Sequence, residues 1–257
     1  MKKNIVFFDI DGTLLDLNKQ IPSSTKQAID RLKQNGVYVA IATGRAPFMF
    51  EDIREALGID SFVSFNGQYV VFEGKTIYDN PLGQEELKEL YRKTSEQRYP
   101  MIFMNEKKMR ASEGDHPYIT ESLGTLQFKY PKVDPTFFEK NTIYQALLFC
   151  ETDEEKEFRK NHGGFDYVRW HNYSCDVLPG GGSKAVGVEK LMRAAGFEHK
   201  NAYAFGDGLN DMEMLQEVGT GVAMGNAVPE LKHVADYTTD HVDNNGILNG
   251  LKYFNLL

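Results

Sequence analysis

The chain has 257 residues, 41% of them apolar, and a net charge of −8 with acids and bases interspersed. That apolar share supports a proper core and excludes global disorder, and the length fits one large domain or a core with a substantial insertion. No basic run exists to track a phosphate backbone, and no apolar stretch approaches the ~20 residues of a membrane span, so neither nucleic acid nor a membrane is an expected partner.

In chain order, residues 4–10 and 37–43 read as buried parallel strands, apolar without clean alternation. A strand starting by residue 4 leaves no room for the apolar core of a signal peptide. Between the two strands, 22–34 carries Ala28, Ile29 and Leu32 at helical spacing, ended by Gly36, with Ser23 or Ser24 as N-cap. A helix over 47–57, stopped by Gly58, leads to a third strand at 61–65. Strand, helix, strand, helix, strand is the rhythm of a doubly wound α/β sheet.

That rhythm breaks after Gly67. A hairpin is expected over 68–72 and 75–78 around Glu73-Gly74, then a helix at 84–97 and strands at 101–105 and 107–111. Residues 112–141 read as irregular, with Pro117, Pro131 and Pro135 interrupting short helical stretches. A strand at 143–150, a helix at 153–161 and a hairpin over 167–171 and 174–178 complete an inserted α+β domain. Gly180-Gly181-Gly182 reads as a hinge. It is not a phosphate loop, because Ser183 precedes Lys184 in the wrong order for a P-loop ending. Helix 184–195, strand 202–206, helix 209–217, strand 220–224 and helix 227–233 restore the α/β rhythm, with a last strand at 235–239 and a closing helix at 247–254. The fold class expected is α/β: a doubly wound parallel-sheet core built from 1–81 and 180–257, with an inserted α+β cap over 82–179.

The first strand ends in Asp9-Ile10-Asp11-Gly12. Two like charges at the mouth of a low-dielectric sheet need a cation, or one of them must hold a proton. Sites in open α/β sheets form at the carboxyl ends of strands, and other strand ends here carry polar residues that suit the same chemistry. Strand two delivers Thr43-Gly44-Arg45, and the strand at 202–206 runs into Gly206-Asp207-Gly208-Leu209-Asn210-Asp211. The resumed core opens with Lys184. Together they suit magnesium-assisted phosphoryl transfer. In an acidic protein, positive potential for an anionic substrate must be made locally, by a metal, a lysine or backbone amides.

This set resembles the haloacid dehalogenase (HAD) superfamily of aspartate-nucleophile phosphatases over nearly the whole chain. The DxDGT signature stands as Asp9 through Thr13, the second motif as Thr43, the third as Lys184, and GDGxND as Gly206 through Asp211. An insertion of about a hundred residues between the second and third motifs resembles the type IIB cap of the Cof-like subfamily, as do Asn66-Gly67 and Met224-Gly225-Asn226-Ala227. The resemblance implies Mg²⁺ on Asp9, Asp207 and the backbone carbonyl of Asp11, with Asp211 holding metal-bound water. It implies Asp9 as the nucleophile that forms an aspartyl-phosphate. Asp11 would be general acid and then base, off the metal through its side chain and partly protonated at the start of the cycle. Thr43, Gly44, Lys184 and Asn210 would bind the phosphoryl oxygens.

Plainer readings stand beside these. Thr43 could cap a helix, Lys184 could be a solvated lysine, and Asp207 and Asp211 could cap the helix that follows them. Asn66 and Asn226 read equally well as turn residues, and neither is given a catalytic role. The six histidines show no zinc spacing. Cys150 and Cys175, the only cysteines, are far apart without a CxxC pair and are expected to be reduced thiols of a cytoplasmic protein. The expected activity is Mg²⁺-dependent hydrolysis of a small, sugar phosphate-like metabolite, the leaving group being read by Arg169, Trp170, His171 and the 112–118 loop of the cap. A phosphotransferase or mutase on the same scaffold, or a catalytically silent metabolite-binding protein, are the alternatives.

Overall fold

The computed structural model describes residues 4–257; residues 1–3 of the expected core lie outside the described residues. The chain runs β1 (Ile5–Phe8), α1 (Ser23–Gln34), β2 (Tyr38–Ala42), α2 (Glu51–Leu57), β3 (Phe62–Ser64), β4 (Tyr69–Phe72) and β5 (Lys75–Asp79). The insertion follows as α3 (Gln84–Glu96), β6 (Met101–Met104), β7 (Met109–Ala111), α4 (Pro117–Thr125), α5 (Phe137–Lys140), β8 (Gln145–Leu148), α6 (Thr152–Asn161), β9 (Phe165–His171) and β10 (Ser174–Pro179). The chain then continues through α7 (Lys184–Ala195), β11 (Ala202–Gly206), α8 (Met212–Glu217), β12 (Thr220–Ala223), α9 (Pro229–Val234), β13 (Tyr237–Thr238) and α10 (Gly246–Tyr253). Its contacts divide it into two compact units. One contains the described residues up to Arg45, Met49–Tyr78 and Ser183–Leu257; the other contains Ala46–Phe48 and Asp79–Gly182.

The first unit is built on a sheet of order β13-β12-β11-β1-β2-β3-β4-β5, parallel from β13 to β3. The hairpin expected after Gly67 extends this sheet, β4 pairing antiparallel with β3. Both faces are covered, which is why the strands read as continuous apolar runs. Val6 and Phe8 pack with Ile29 and Leu32 of α1 and Leu251 of α10. Ile5 and Phe7 pack with Val188 and Leu191 of α7 and Leu215 of α8. Chain order runs outward from β1 through β2 and β3 on one side, and through β11, β12 and β13 on the other. The β1/β11 boundary is therefore the switch point at which open α/β sheets bind ligands.

The second unit is an antiparallel sheet, β7-β6-β8-β10-β9. One of its faces is packed by Leu87 and Leu90 of α3, Phe137 and Phe138 of α5, and Phe158 of α6. Two local expectations need correction. Residues 117–125 are helical rather than irregular: Pro117 sits at the first helical position, where its missing N–H costs nothing, and His116 Nδ1 accepts from the Tyr118 amide at 3.3 Å. Neither Ser23 nor Ser24 caps α1; the N-cap is Pro22, with no side-chain capping bond.

Candidate active site

Asp9 leaves β1 with its amide donating to Phe205 O on β11 at 3.0 Å. Gly12 then turns the chain at φ +77, and a Cβ there would stand 2.3 Å from Asp207 Oδ2, so only glycine lets the first motif loop lie against the fourth. Thr13 Oγ1 donates to Asp207 Oδ1 at 3.2 Å. Across the switch point, Asp211 Oδ2 accepts the amides of Asp207 and Gly208, each at 3.0 Å. Asn226 fastens the first loop from its other side: its Nδ2 donates to Gly12 O at 2.8 Å, and its Oδ1 accepts from Val242 N at 3.0 Å.

Lys184, the first residue of α7, is only 1% exposed. Its Nζ lies 2.5 Å from Asp9 Oδ1 and 2.7 Å from Asp211 Oδ1. Burial alone would lower its pKa, but Asp211 and Asp9 outweigh burial and hold it above the ordinary lysine value. It is an ammonium. Asp9, Asp207 and Asp211 each offer an oxygen within 4.8 Å of the others, an all-oxygen set of the kind a hard divalent cation takes. Both oxygens of Asp211 are already engaged, by Lys184 and by two amides, which leaves Asp9 and Asp207 as the freer pair. Burial pushes Asp9 well above its usual range; Lys184 pulls it down, and Asp211, Asp207 and Asp11 push it up again. Burial, and then Asp211, raise Asp207 to about 7.

Asp11 behaves differently from expectation. Its carboxylate lies outside the three-acid cluster, and the metal role expected for this residue ran through its backbone carbonyl. The side chain receives Arg45 Nε at 2.8 Å and Nη2 at 2.7 Å, and Lys19 Nζ at 2.7 Å. Burial pushes its pKa up, but the hydrogen bond and charge of Arg45, and then those of Lys19, leave it below the ordinary value. These contacts run against the partial protonation expected of Asp11: the fork of Arg45 matches a carboxylate and favours its ionised form.

Thr43 is buried, and its Oγ1 accepts from Arg45 N at 3.2 Å. That is a turn contact, but it leaves the hydroxyl hydrogen available to a ligand. Gly44 faces Asn66: a Cβ on Gly44 would meet Asn66 Oδ1 at 3.0 Å. Asn210 Nδ2 donates to the same Oδ1 at 3.5 Å. The four motif segments thus meet in one unit. Sequence reasoning gave no weight to the Lys19 and Arg45 clamp on Asp11 or to the tie made by Asn226. A basic residue at a strand end and the Gly-Asn pair were the signals on offer.

In the second unit, Arg169 is consumed by structure rather than left open to a ligand. Its guanidinium donates to Glu155 Oε2 at 2.6 Å and to the carbonyls of Cys150, His171, Asn172 and Glu151 at 2.8–3.2 Å. His171 Nδ1 is engaged by Ser122 Oγ at 3.0 Å and the Tyr173 amide at 3.2 Å. Two of the expected leaving-group readers are thus internal braces. Cys150 and Cys175 are both buried free thiols.

The haloacid dehalogenase-like hydrolase family matches residues 6–251. The chain belongs to that family. The Bacillus subtilis (strain 168) protein named "Putative phosphatase YkrA" is 49% identical over 257 residues, all of both chains. The crystal structure of a hypothetical protein of Geobacillus kaustophilus HTA426 superposes with a TM-score of 0.96 at 58% identity, covering 99% of this chain and 100% of that one. The HAD subclass IIB sugar phosphatase BT4131 superposes with a TM-score of 0.87 at 30% identity, covering 99% of this chain and 100% of that one. Among the described residues, no helix is long and apolar enough to cross a membrane.

Proposed function

We propose that this hydrolase is a Mg²⁺-dependent phosphatase that cleaves small phosphorylated metabolites, sugar phosphate-like in character, through an aspartyl-phosphate on Asp9. The observation that carries the reading is the buried Lys184 ammonium, 2.5 Å from Asp9 and 2.7 Å from Asp211, with the Asp207 carboxylate in the same cluster. The phosphatase names of YkrA and BT4131 support it. Asp9 and Asp207 would hold the cation, and the all-carboxylate donor set fits Mg²⁺. When bound, the metal screens the charge between an anionic nucleophile and an anionic phosphate.

The chain's own residues carry the rest. An Asp9 oxygen attacks phosphorus, forming the O–P bond while the ester O–P bond breaks. Lys184, the hydroxyl of Thr43, the amide of Gly44 and the carboxamide of Asn210 receive the phosphoryl oxygens. Asp11, after taking up a proton from solvent, gives it to the departing alkoxide and then takes one from the water that attacks the aspartyl-phosphate, regenerating Asp9. To carry that proton, Asp11 must first loosen its contacts with Arg45 and Lys19. The inserted unit supplies specificity, because the core residues recognise only the phosphate. A phosphate-release screen over a metabolite panel, with and without Mg²⁺, tests the proposal. Release of inorganic phosphate only when Mg²⁺ is present is expected. Metal-independent release refutes the metal role, and phospho-sugar formation without free phosphate makes the enzyme a phosphotransferase.

A further inference from the structure

The segment 65–67 follows β3 in a conformation that its sequence does not favour. Phe65 (φ 51), Asn66 (φ 50) and Gly67 (φ 99) lie in succession at positive φ. Glycine adopts such angles freely and asparagine tolerates them, but for a bulky residue such as Phe65 they are a genuine outlier. Backbone strain of this kind persists only where the surroundings over-determine it, and it concentrates at functional sites. All three residues are buried.

The turn touches three of the segments assembled above. Asn66 N donates to Thr43 O at 3.1 Å, and Phe65 N donates to Arg45 O at 3.2 Å, so its backbone fixes the loop on either side of Gly44. Gly67 is wedged against the start of α7. A Cβ there would fall 2.0 Å from Ser183 O, and a Cβ on Gly187 would fall 2.8 Å from Gly67 Cα, so the helix that begins with Lys184 rests on this turn. The Asn66 carboxamide reaches the third segment. Its Oδ1 accepts from Asn210 Nδ2 at 3.5 Å, and its Nδ2 lies 3.1 Å from the point a Gly44 Cβ would occupy.

We infer that Asn66 is a positioning residue of the phosphate pocket. Its side chain sets the Gly44 amide and the Asn210 carboxamide in register for the phosphoryl oxygens, and the strained turn exists to aim it there. This deepens the phosphatase reading and rests on it for the meaning of the pocket, though binding of the anion can be measured without turnover.

Three variants and a probe that needs no chemistry test the inference. Asn66→Gly deletes the carboxamide while relieving the positive φ, so the fold is expected to survive. Asn66→Ala deletes the same group and keeps the strain. Asn66→Asp keeps the shape but sets an anion beside the anion site. In the Mg²⁺-loaded full chain, Asn66→Gly is expected to weaken inorganic phosphate binding by calorimetry by about tenfold, and to lower kcat/KM for p-nitrophenyl phosphate about equally. Asn66→Asp is expected to weaken phosphate further than Asn66→Gly does, a difference that a purely structural role would not produce. If Asn66→Gly binds phosphate and turns over like the wild type, the inference is wrong, whatever its melting temperature. A loss confined to melting temperature in Asn66→Ala, with phosphate affinity intact in all three variants, likewise overturns it. If the wild type binds phosphate but hydrolyses no ester, the phosphatase reading fails, and the phosphate affinities alone decide the role of Asn66.

Discussion

Replacing Lys184 with Met keeps the bulk of the stem and removes the charge. The lysine is 1% exposed, with Asp9 Oδ1 at 2.5 Å and Asp211 Oδ1 at 2.7 Å, and Asp207 completes the acid cluster. Without the ammonium, three carboxylates face one another with no neutralising partner in a setting that screens them poorly. Breaking a buried ion pair in this way costs about 3–5 kcal/mol, and at about 2–4 °C per kcal/mol for a unit of this size the melting temperature should fall by about 6–20 °C. The acids can relieve the repulsion by binding protons, so the deficit depends on pH. Lys184 lowers the pKa of both Asp9 and Asp207; removing it raises both further above the unfolded value of 3.8. The folded variant then holds more protons than its unfolded chain over a wider interval, and stability falls as pH rises through that interval. Thermal melts of metal-free wild type and Lys184→Met, at about pH 5 and about pH 8, read the effect directly. The deficit should be larger at the higher pH. A deficit below about 1 kcal/mol at the higher pH, or an equal one at both, would refute the reasoning.

Asp9→Asn keeps the shape and removes the proposed nucleophile, so phosphate release from p-nitrophenyl phosphate should vanish along with any acid-stable phospho-enzyme; retention of most turnover sinks the covalent route. Metal binding should show a proton signature. Asp207, at 3.8 unfolded and about 7 folded, contributes stability that is fully present below 3.8 and lost as pH rises through about 7 in the metal-free protein. Mg²⁺ should therefore release protons on binding below pH 7 and raise the melting temperature more above that pH than below it; a pH-independent shift contradicts the assignment. Gly187→Ala drives a methyl to 2.4 Å from Val63 Cγ1 and 2.8 Å from Gly67 Cα, an overpacking that should cost about 1–3 kcal/mol and lower kcat by displacing Lys184; unchanged kcat means α7 can shift without consequence. Arg169→Leu removes one of the two guanidinium partners of the buried Glu155, leaving Arg159 Nη2 at 2.6 Å, and should destabilise the inserted unit by about 1–3 kcal/mol while leaving kcat for p-nitrophenyl phosphate near wild type; a selective loss of one substrate from the panel would return Arg169 to the leaving-group site.

The fold was legible where burial alone dictates pattern. β1, β2 and β11 are covered on both faces, so their apolar runs announced parallel strands, and α7 and β11 have the ends their sequence implied. It was less legible where one residue has two opposite uses. Pro117 looked like an interruption, yet proline at the first turn of a helix is favourable, and deciding which applies needs the His116 side chain that caps the turn. The candidate site was legible as a set of strand ends, because Asp9, Thr43 and Asp207 follow strands whose order the chain rhythm implied. What could not be read was the direction of long side chains. Arg45 lies two residues beyond Thr43 and could have faced solvent, the phosphate or a carboxylate; its fork lies on Asp11 and favours the ionised form of a residue expected to be partly protonated. Arg169 beside Trp170 looked like a ligand reader for the same reason, and its partner Glu155 lies 14 residues away in sequence.

The opposite pKa directions of Asp9 and Asp11 in the metal-free protein follow from position. Asp9 leaves the end of β1 at 7% exposure, where the neighbours in reach are other acids and one lysine shared with Asp211. Asp11 is two residues further out, at the mouth, where the long side chains of Lys19 and Arg45 can fold over it. Without a metal, the inner carboxylate is thus the one under pressure to protonate and the outer one the more comfortably ionised. A divalent cation held by Asp9 and Asp207, as proposed, would favour the ionised form of the inner carboxylate most directly. The proton that the leaving group needs must then come from a change at the mouth. If Asp11 is the acid, as proposed, release of its contacts with Lys19 and Arg45 would set when it can act, and control of the first chemical step would rest on two long side chains at the mouth.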